Sequence, residues 1–346
     1  MLMEPMLRSY SGNCTLQESC QVIGNPILER MAALYEEGRR LDDMTIVRIA
    51  EYGCAGGENS YQPMSAIIST LRSKHPNLGV ECVLEDLPSY QWYQVMQEAE
   101  RLAWACGGGV HTLCAGTSFY NQICSTESVD LAYSYVAAHF LSETLPLTTH
   151  VMMHESAPAE TAAWHAQAAK DWENFLLLRA RELKKGGKMM ISTMSRDSLG
   201  YSWQKFSHVV WSGIQRAHTK GILSRREVET LCIPACLRSE EEIMAPFATT
   251  SEVGSSLSVD LLEFSRTEIV KERGLPNSVL APIIRRRVES VWGGMFLRQL
   301  NQLGRNEASC RDAMGELWDD FEAEILKDPS AGWVDMQSFF LQVTKN

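Results

Sequence analysis

The sequence has no long apolar run, no paired cysteines and no surplus of positive charge, and each absence removes a class of function. No window approaches about 18 consecutive apolar residues, the length a membrane-spanning helix needs, so no membrane span is expected. Met1-Leu-Met-Glu-Pro5 has no basic segment leading into an apolar one, so no signal peptide is expected and the cytoplasm is the expected compartment. Cysteines stand at 14, 20, 54, 82, 106, 114, 124, 232, 236 and 310, with no C-x-x-C pair among them. Cys232 and Cys236 lack a second pair at zinc-site spacing, so buried reduced thiols and no metal site are expected. Lys and Arg number 32 against 43 Asp and Glu, a net charge of -11. Nucleic-acid binding draws most of its affinity from clustered cations, so that partner is disfavoured. The one basic cluster, Arg285-Arg-Arg287, reads as a solvated helix face pairing with the surplus acids.

What is present is a chain of 346 residues, 45% hydrophobic and 22% charged, which can bury a sizeable core. Ile27, Met31 and Leu34 share one helical face. Thr45–Ala50 is short, apolar and rich in β-branched residues, as a buried strand is. A helix follows with Met64, Ile67, Ile68 and Leu71 in register, and Pro63 is tolerated in its first turn. Val80–Leu84, Val110–Cys114, Val129–Ser134 and Lys188–Thr193 read as further strands, with a long helix over roughly 160–184. That helix is expected to stop at Lys184-Lys-Gly-Gly187, where glycine suits a left-handed cap and basic residues face the negative helix end. Alternating strands and helices predict an α/β doubly wound parallel sheet. After about 196 the pattern changes. Residues 203–248 and 278–327 read as helical, and 258–270 and 333–343 as strands, so one domain with a helical cap is expected. The core would comprise 1–195, 249–270 and 331–346, and the cap 196–248 and 271–330.

The local feature with most chemical content is the junction Glu51-x-Gly53-x-x-Gly56-Gly57 between a strand and a helix. Glycines there let backbone approach a ligand beyond the carboxyl ends of the strands, although a plain tight turn has the same composition. The spacing is not the dinucleotide G-x-G-x-x-G and no phosphate-loop lysine follows, so neither a nicotinamide nor an ATP site is supported. Asp86 ends the next strand, where a carboxylate accepts hydrogen bonds from both ribose hydroxyls of a nucleoside; a helix N-cap or a turn residue before Leu87-Pro88 is the other reading. His150 and His154 stand four apart, a spacing that chelates metal on a helix, but no third ligand is evident and a loop or gate role fits better. Sixteen methionines suit core filling or a plastic pocket lining.

Five segments occur together in one order: Tyr10-Ser-Gly-Asn-Cys-Thr-Leu-Gln17, Glu51-Tyr-Gly-Cys-Ala-Gly-Gly-Glu-Asn59, Glu85-Asp-Leu-Pro88, Gly116-Thr-Ser-Phe-Tyr120 and His139-Phe-Leu-Ser142. In these the chain resembles the SABATH family of S-adenosylmethionine-dependent methyltransferases. That family includes the salicylate, benzoate and indoleacetate carboxyl methyltransferases and the xanthine N-methyltransferases. The resemblance runs from about residue 8 onward. It implies a Rossmann-like class I methyltransferase sheet, mostly parallel with its last strand antiparallel, under an α-helical cap. It implies S-adenosylmethionine as cofactor, S-adenosylhomocysteine as product, a small-molecule acceptor and a homodimer.

Residue by residue, the resemblance implies that Tyr10 closes over the cofactor and that Glu51, in place of the family's aspartate, holds the methionine portion with Asn59. Asp86 and Leu87 would take the ribose and one adenine face, and Ser118 and Phe119 the adenine, Phe119 by stacking. Gly53, Cys54 and Tyr133 complete the implied cofactor set. Plain core packing is the competing role for Phe119. For the acceptor, Gln17, His139, Phe140, Val136 and Trp211 fall at substrate-contacting positions. Phe140 stands where the acid-methylating relatives have a tryptophan, and it has no donor; Val136 stands where a tyrosine is usual. His139 is otherwise read as a satisfied histidine on a helix. No catalytic residue is required, because a carboxylic acid with a pKa of about 4 is already ionised at neutral pH. The expected reaction is carboxyl O-methylation. An N- or phenolic O-methyltransferase and a silent ligand-binding member are the rivals.

Overall fold

The computed structural model describes residues 15–39, 41–42, 45–89, 92–268, 274–332 and 335–346. Tyr10 lies outside them, and of Gln17 only the backbone is described, inside the first helix. In chain order the elements are α1 (Thr15–Glu37), β1 (Ile46–Tyr52), α2 (Tyr61–Arg72), β2 (Gly79–Asp86), α3 (Trp92–Cys106), β3 (Val110–Gly116) and β4 (Val129–Tyr135). They continue as α4 (Pro158–Glu182), β5 (Leu183–Met194), a two-residue hairpin of β6 (Arg196–Asp197) and β7 (Gly200–Tyr201), α5 (Gln204–Thr219), and the short α6 (Arg225–Val228), α7 (Glu240–Met244) and α8 (Glu252–Ser256). The chain ends in β8 (Leu257–Glu268), α9 (Asn277–Gln302), α10 (Glu307–Lys327) and β9 (Asp335–Lys345).

Seven strands form one sheet in the order β3-β2-β1-β4-β5-β9-β8. The strands β1 to β5 pair in parallel, while β9 runs antiparallel to both β5 and β8. This is the Rossmann-like sheet, with its last strand antiparallel, that the resemblance implies. Strands covered on both faces read as near-continuous apolar runs, which is why β1 and β4 are buried almost throughout. Alternate residues serve the two faces. Val47, Ile49, Leu131 and Tyr133 join Cys20, Leu28, Met31 and Tyr35 of α1. Ala50, Tyr52, Ala132 and Ile191 join Trp172, Phe175 and Leu176 of α4. Strand order reverses between β1 and β4, so the loops there splay apart and leave a crevice at the carboxyl ends.

The helices α5, α9 and α10 pack together around a ladder of rings. Phe206 and Trp292 have centroids 4.9 Å apart, Trp203 and Trp292 5.7 Å, and Phe296 stacks on Trp318 at 6.2 Å. Their apolar side chains join the α1-face core without a break. No helix among the described residues is long and apolar enough to cross a membrane.

Two readings of the sequence need correction. Only 204–219 of the 203–248 stretch forms a long helix; Leu231–Leu237 is buried and irregular, outside any helix or named strand. That run spends its backbone bonds across the fold, Ile233 N donating to Val151 O at 2.8 Å and Cys236 N to His139 O at 2.8 Å. Residues Lys184–Gly187 do not cap α4 but form an irregularity inside β5, where Leu183 pairs with Val129 and the next pair is Lys188 with Leu131. Gly186 takes φ +73° there. His139, His150 and His154 all lie outside α-helices, and the backbone N–H groups of Met152 and Leu237 donate to His150 Nδ1 (3.1 Å) and His154 Nε2 (3.0 Å). Arg285 pairs with Asp319, Glu322 and Glu289. The nine described cysteines are free thiols.

At the opposite end of the sheet one carboxylate clamps three elements. Asp130 is buried and accepts from the Tyr35 hydroxyl, from Arg48 N at 2.8 Å and from Lys184 Nζ at 2.7 Å. Asp130→Ala leaves a buried hydroxyl and a backbone N–H without partners. It is expected to cost about 2–3 kcal/mol, seen as a lower urea midpoint at unchanged slope. An unchanged midpoint would show that the clamp carries no stability.

Candidate functional site

Three loops converge at the crevice, and the tightest point of their convergence is Gly53. It has φ +85°, and a Cβ built there would lie 2.4 Å from Ala137 Cβ and 4.0 Å from the Phe119 ring. Gly53 follows β1, Phe119 follows β3 and Ala137 follows β4, so only a residue without a side chain lets the three meet. The turn is fixed by β2. Gly53 N and Cys54 N donate to Glu85 O at 3.0 and 2.9 Å, and Gly53 N is also 3.1 Å from Glu85 Oε2. Ala55 has φ +48° and Gly57 φ +80°, so the chain bends left-handed three times within five residues. Asp86 holds this curve, its Oδ2 accepting from Ala55 N at 2.7 Å and its Oδ1 from Leu87 N at 2.7 Å. Asp86 thus holds the turn, one of the two alternative roles the sequence left open, and its bonds go to the turn and not to a helix start.

Glu51 is enclosed beside it and accepts from the Tyr133 hydroxyl at 3.0 Å. Burial pushes its carboxyl up to about 7, the neighbouring Asp86 adding to the rise. Enclosure likewise raises Asp86 to about 6, against the pull of its two backbone donors. Asn59 sits in a single 3-10 turn, and its carbonyl accepts from Gln21 Nε2 of α1 at 2.6 Å. Ser118 Oγ accepts from Tyr120 N at 3.3 Å, and Phe119 packs edge-on to Phe175 with centroids 5.6 Å apart. Glu51, Gly53, Cys54, Asn59, Asp86, Leu87, Ser118, Phe119 and Tyr133 thus all border one region at the strand ends.

The wall beyond β4 contains Val136, His139 and Phe140. Val136 has φ +52°, a conformation that costs a β-branched residue free energy and is found where function over-determines the backbone. His139 is buried, its Nδ1 2.6 Å from Thr193 Oγ1 and its Nε2 without a partner among the described residues. Burial, with the Arg238 charge behind it, lowers the ring to about 3. Phe140 lies against it with centroids 4.2 Å apart, and Trp203 closes edge-on at 5.2 Å. Trp211 is farther along α5, next to His150 at 5.7 Å. The structure does not place Trp211 in contact with His139.

Two groups escaped the sequence reading. Tyr120 joins the two walls, its hydroxyl donating to Phe140 O at 2.6 Å. Arg179 and Glu182 lie fully buried under the Phe119 loop. Their signal was present: Trp172, Phe175, Leu176 and Leu183 mark an apolar stripe, and position 179 falls on it. Among the described residues no group of three or more His, Cys, Asp or Glu is placed to hold a metal ion.

A family model described as S-adenosylmethionine-dependent carboxyl methyltransferase matches residues 6–280. The chain belongs to that family. It is 29% identical over 205 residues to the salicylate/benzoate carboxyl methyltransferase of Arabidopsis thaliana, covering 55% of this chain and 54% of that one. It is 25% identical over 298 residues to the jasmonate O-methyltransferase of the same plant, with 74% of each covered. The chain spans about half the length of several curated relatives it matches. A solved loganic acid methyltransferase with S-adenosylhomocysteine superposes with a TM-score of 0.78 at 15% identity, covering 99% of this chain and 98% of that one, which shows the shared fold. The Gly53 cradle, which any Cβ would fill, and the Asp86 carboxylate fit a nucleoside cofactor of this kind.

Gly53→Ala is expected to cost roughly 1–3 kcal/mol through its left-handed backbone and the overlap with Ala137. Gly53→Ala/Ala137→Gly should regain part of that melting-temperature loss by removing the overlapping methyl. No recovery would show that the close approach is not the source of the cost.

Proposed function

We propose that the protein transfers a methyl group from S-adenosylmethionine to the carboxylate of a small organic acid, giving a methyl ester and S-adenosylhomocysteine. The observation that carries the acceptor choice is the enclosure of His139, buried and bonded through Nδ1 to Thr193. A phenol or an ammonium acceptor needs a base with a pKa near the working pH. A ring lowered to about 3, buried and already bonded to Thr193, is not that base. His150 and His154 are lowered too, to about 4 and about 3, with burial as the main cause. A carboxylate needs no base, so positioning suffices, and alignment alone supplies about 7–11 kcal/mol in favourable cases.

In this reading Glu51, Asn59, Gly53, Cys54 and Tyr133 hold the amino-acid end of the cofactor. Asp86 has lone pairs left for ribose hydroxyls after accepting from Ala55 and Leu87. Ser118, Phe119 and Leu87 enclose the adenine, and Tyr10 covers it. When bound, the cofactor supplies an electrophilic methyl group on a cationic sulfur. Gln17 and His139, whose Nε2 has no partner among the described residues, orient the acceptor, with Val136, Phe140 and Trp211 shaping its apolar walls and excluding water. Residues 196–248 and 271–330 act as the cap over a core of 1–195, 249–270 and 331–346. Assembly as a homodimer in the cytoplasm belongs to the same reading. The loss of a donor at Phe140 favours a second reading, methylation of a nitrogen or a phenol.

The direct test is incubation with methyl-labelled S-adenosylmethionine and a panel of small acids, phenols and amines. Base-labile label on acids is expected; label confined to amines or phenols would favour the second reading and overturn the first. A pH-dependent signature tests the cofactor site separately. Glu51 is raised from 4.5 to about 7 by burial, and a ligand ammonium beside it favours the ionised form. Binding of S-adenosylhomocysteine near pH 6 should therefore release protons, visible as a calorimetric enthalpy that changes with buffer. Glu51→Gln should lose that component. Equal proton release from both proteins would remove Glu51 from the ammonium site.

A further inference from the structure

We infer that Arg179, locked to Glu182, is a positioning residue that sets the adenine-facing loop of the cofactor site. The inference rests on the reading of Ser118 and Phe119 as the adenine contacts. Both charged side chains have zero exposure, on the stripe of α4 that otherwise packs Trp172, Phe175 and Leu176 into the core. Burying two ions is unfavourable unless their remaining hydrogen-bonding groups are satisfied, so the partners they choose are informative.

Most of those partners lie in the loop between β3 and β4. Arg179 Nη1 donates to Phe119 O at 3.0 Å, and Nη2 donates to Asn121 O at 2.9 Å and to Glu182 Oε1 at 2.8 Å. Ile123 N donates back to Glu182 Oε1 at 2.5 Å. The carbonyl of Tyr120 takes a longer bond, 3.3 Å, from Asn174 of the same helix. Three successive carbonyls thus face α4, and the rigid guanidinium fork takes the two outer ones.

The other end of the network reaches β1. Tyr52 donates to Glu182 Oε2 at 2.5 Å, and the guanidinium lies 4.0 Å over the Tyr52 ring. Tyr52 directly follows Glu51 and precedes Gly53, so one buried ion pair spans both walls of the cofactor crevice. Phe175, 5.3 Å from the same guanidinium, meets the edge of Phe119 at 5.6 Å. Arg179 anchors the loop backbone at Phe119, and the ring it helps orient stands where the base would stack.

The probe is S-adenosylhomocysteine, measured by calorimetry on the full chain. Arg179→Lys keeps a charge for Glu182 but cannot span two carbonyls, so its dissociation constant should rise about tenfold. Phe119→Ala should weaken binding similarly. In that background Arg179→Lys should add less than twofold, because its effect passes through the Phe119 loop. Amide exchange of 117–124 should quicken in Arg179→Lys while β5 and β9 stay protected. If the lysine variant does not fold, Arg179→Met/Glu182→Leu replaces the pair with apolar volume and should show the same weakening. A variant binding within twofold of the wild type would overturn the inference. So would an equal loss in the presence and absence of the Phe119 ring. Wild-type protein that fails to bind would overturn the cofactor reading beneath it, a different outcome.

Discussion

Everything at the strand ends depends on the chain leaving β1 in a left-handed turn that folds back on Glu85. Gly53 and Cys54 both donate to the Glu85 carbonyl, and that bond pair needs the φ of +85° that glycine supplies without penalty. From it follow the close pass of Ala137, the position of Asp86 against Ala55 and the packing of Phe119 near the turn. A sheet with reversed strand order opens a crevice, but only this turn makes the crevice fit a flat nucleoside beside a backbone wall.

The electrostatics of the site are those of groups kept out of water. Glu51 and Asp86 are raised and His139 is lowered, in each case chiefly by burial. Desolvation thus suppresses charge on acids and base alike, and the site is closer to neutral than its residue types suggest. A cationic ligand arriving there meets carboxyls that gain by ionising. The wall beyond β4, with Val136, Phe140 and Trp203, is buried and apolar apart from His139; in the proposed reading it keeps water from an acceptor that needs alignment and no base.

Much of the sheet was legible because buried parallel strands leave compact apolar runs, and β1 to β4 lie within two residues of the expected limits. The Glu51–Asn59 turn and the place of Asp86 at the end of β2 were legible as backbone features, because glycines and an acid mark where a strand gives way to a turn. The 231–237 segment was not, since its apolar run has no period that separates a helix from buried irregular backbone. Lys184–Gly187 misled because glycine and lysine mark a helix cap and a bulge equally well. Arg179 and Glu182 were passed over for a different reason. Charges on a helix imply solvent until the loop that buries them is known, and that loop comes some sixty residues earlier in the chain, as the 60-residue separation of Arg179 from Phe119 shows.

The family is set by the match over residues 6–280, while the proposed acceptor rests on the enclosure of His139 in the wall beyond β4. The central claim is that the Gly53 turn, Asp86 and the Phe119 loop form one nucleoside site. A crystal structure of the protein soaked with S-adenosylhomocysteine tests it most directly. The account predicts ribose hydroxyls on the Asp86 carboxylate, adenine against Phe119 and the amino-acid end beside Glu51. Ligand density elsewhere, or at this site with Asp86 and Phe119 untouched, would contradict it.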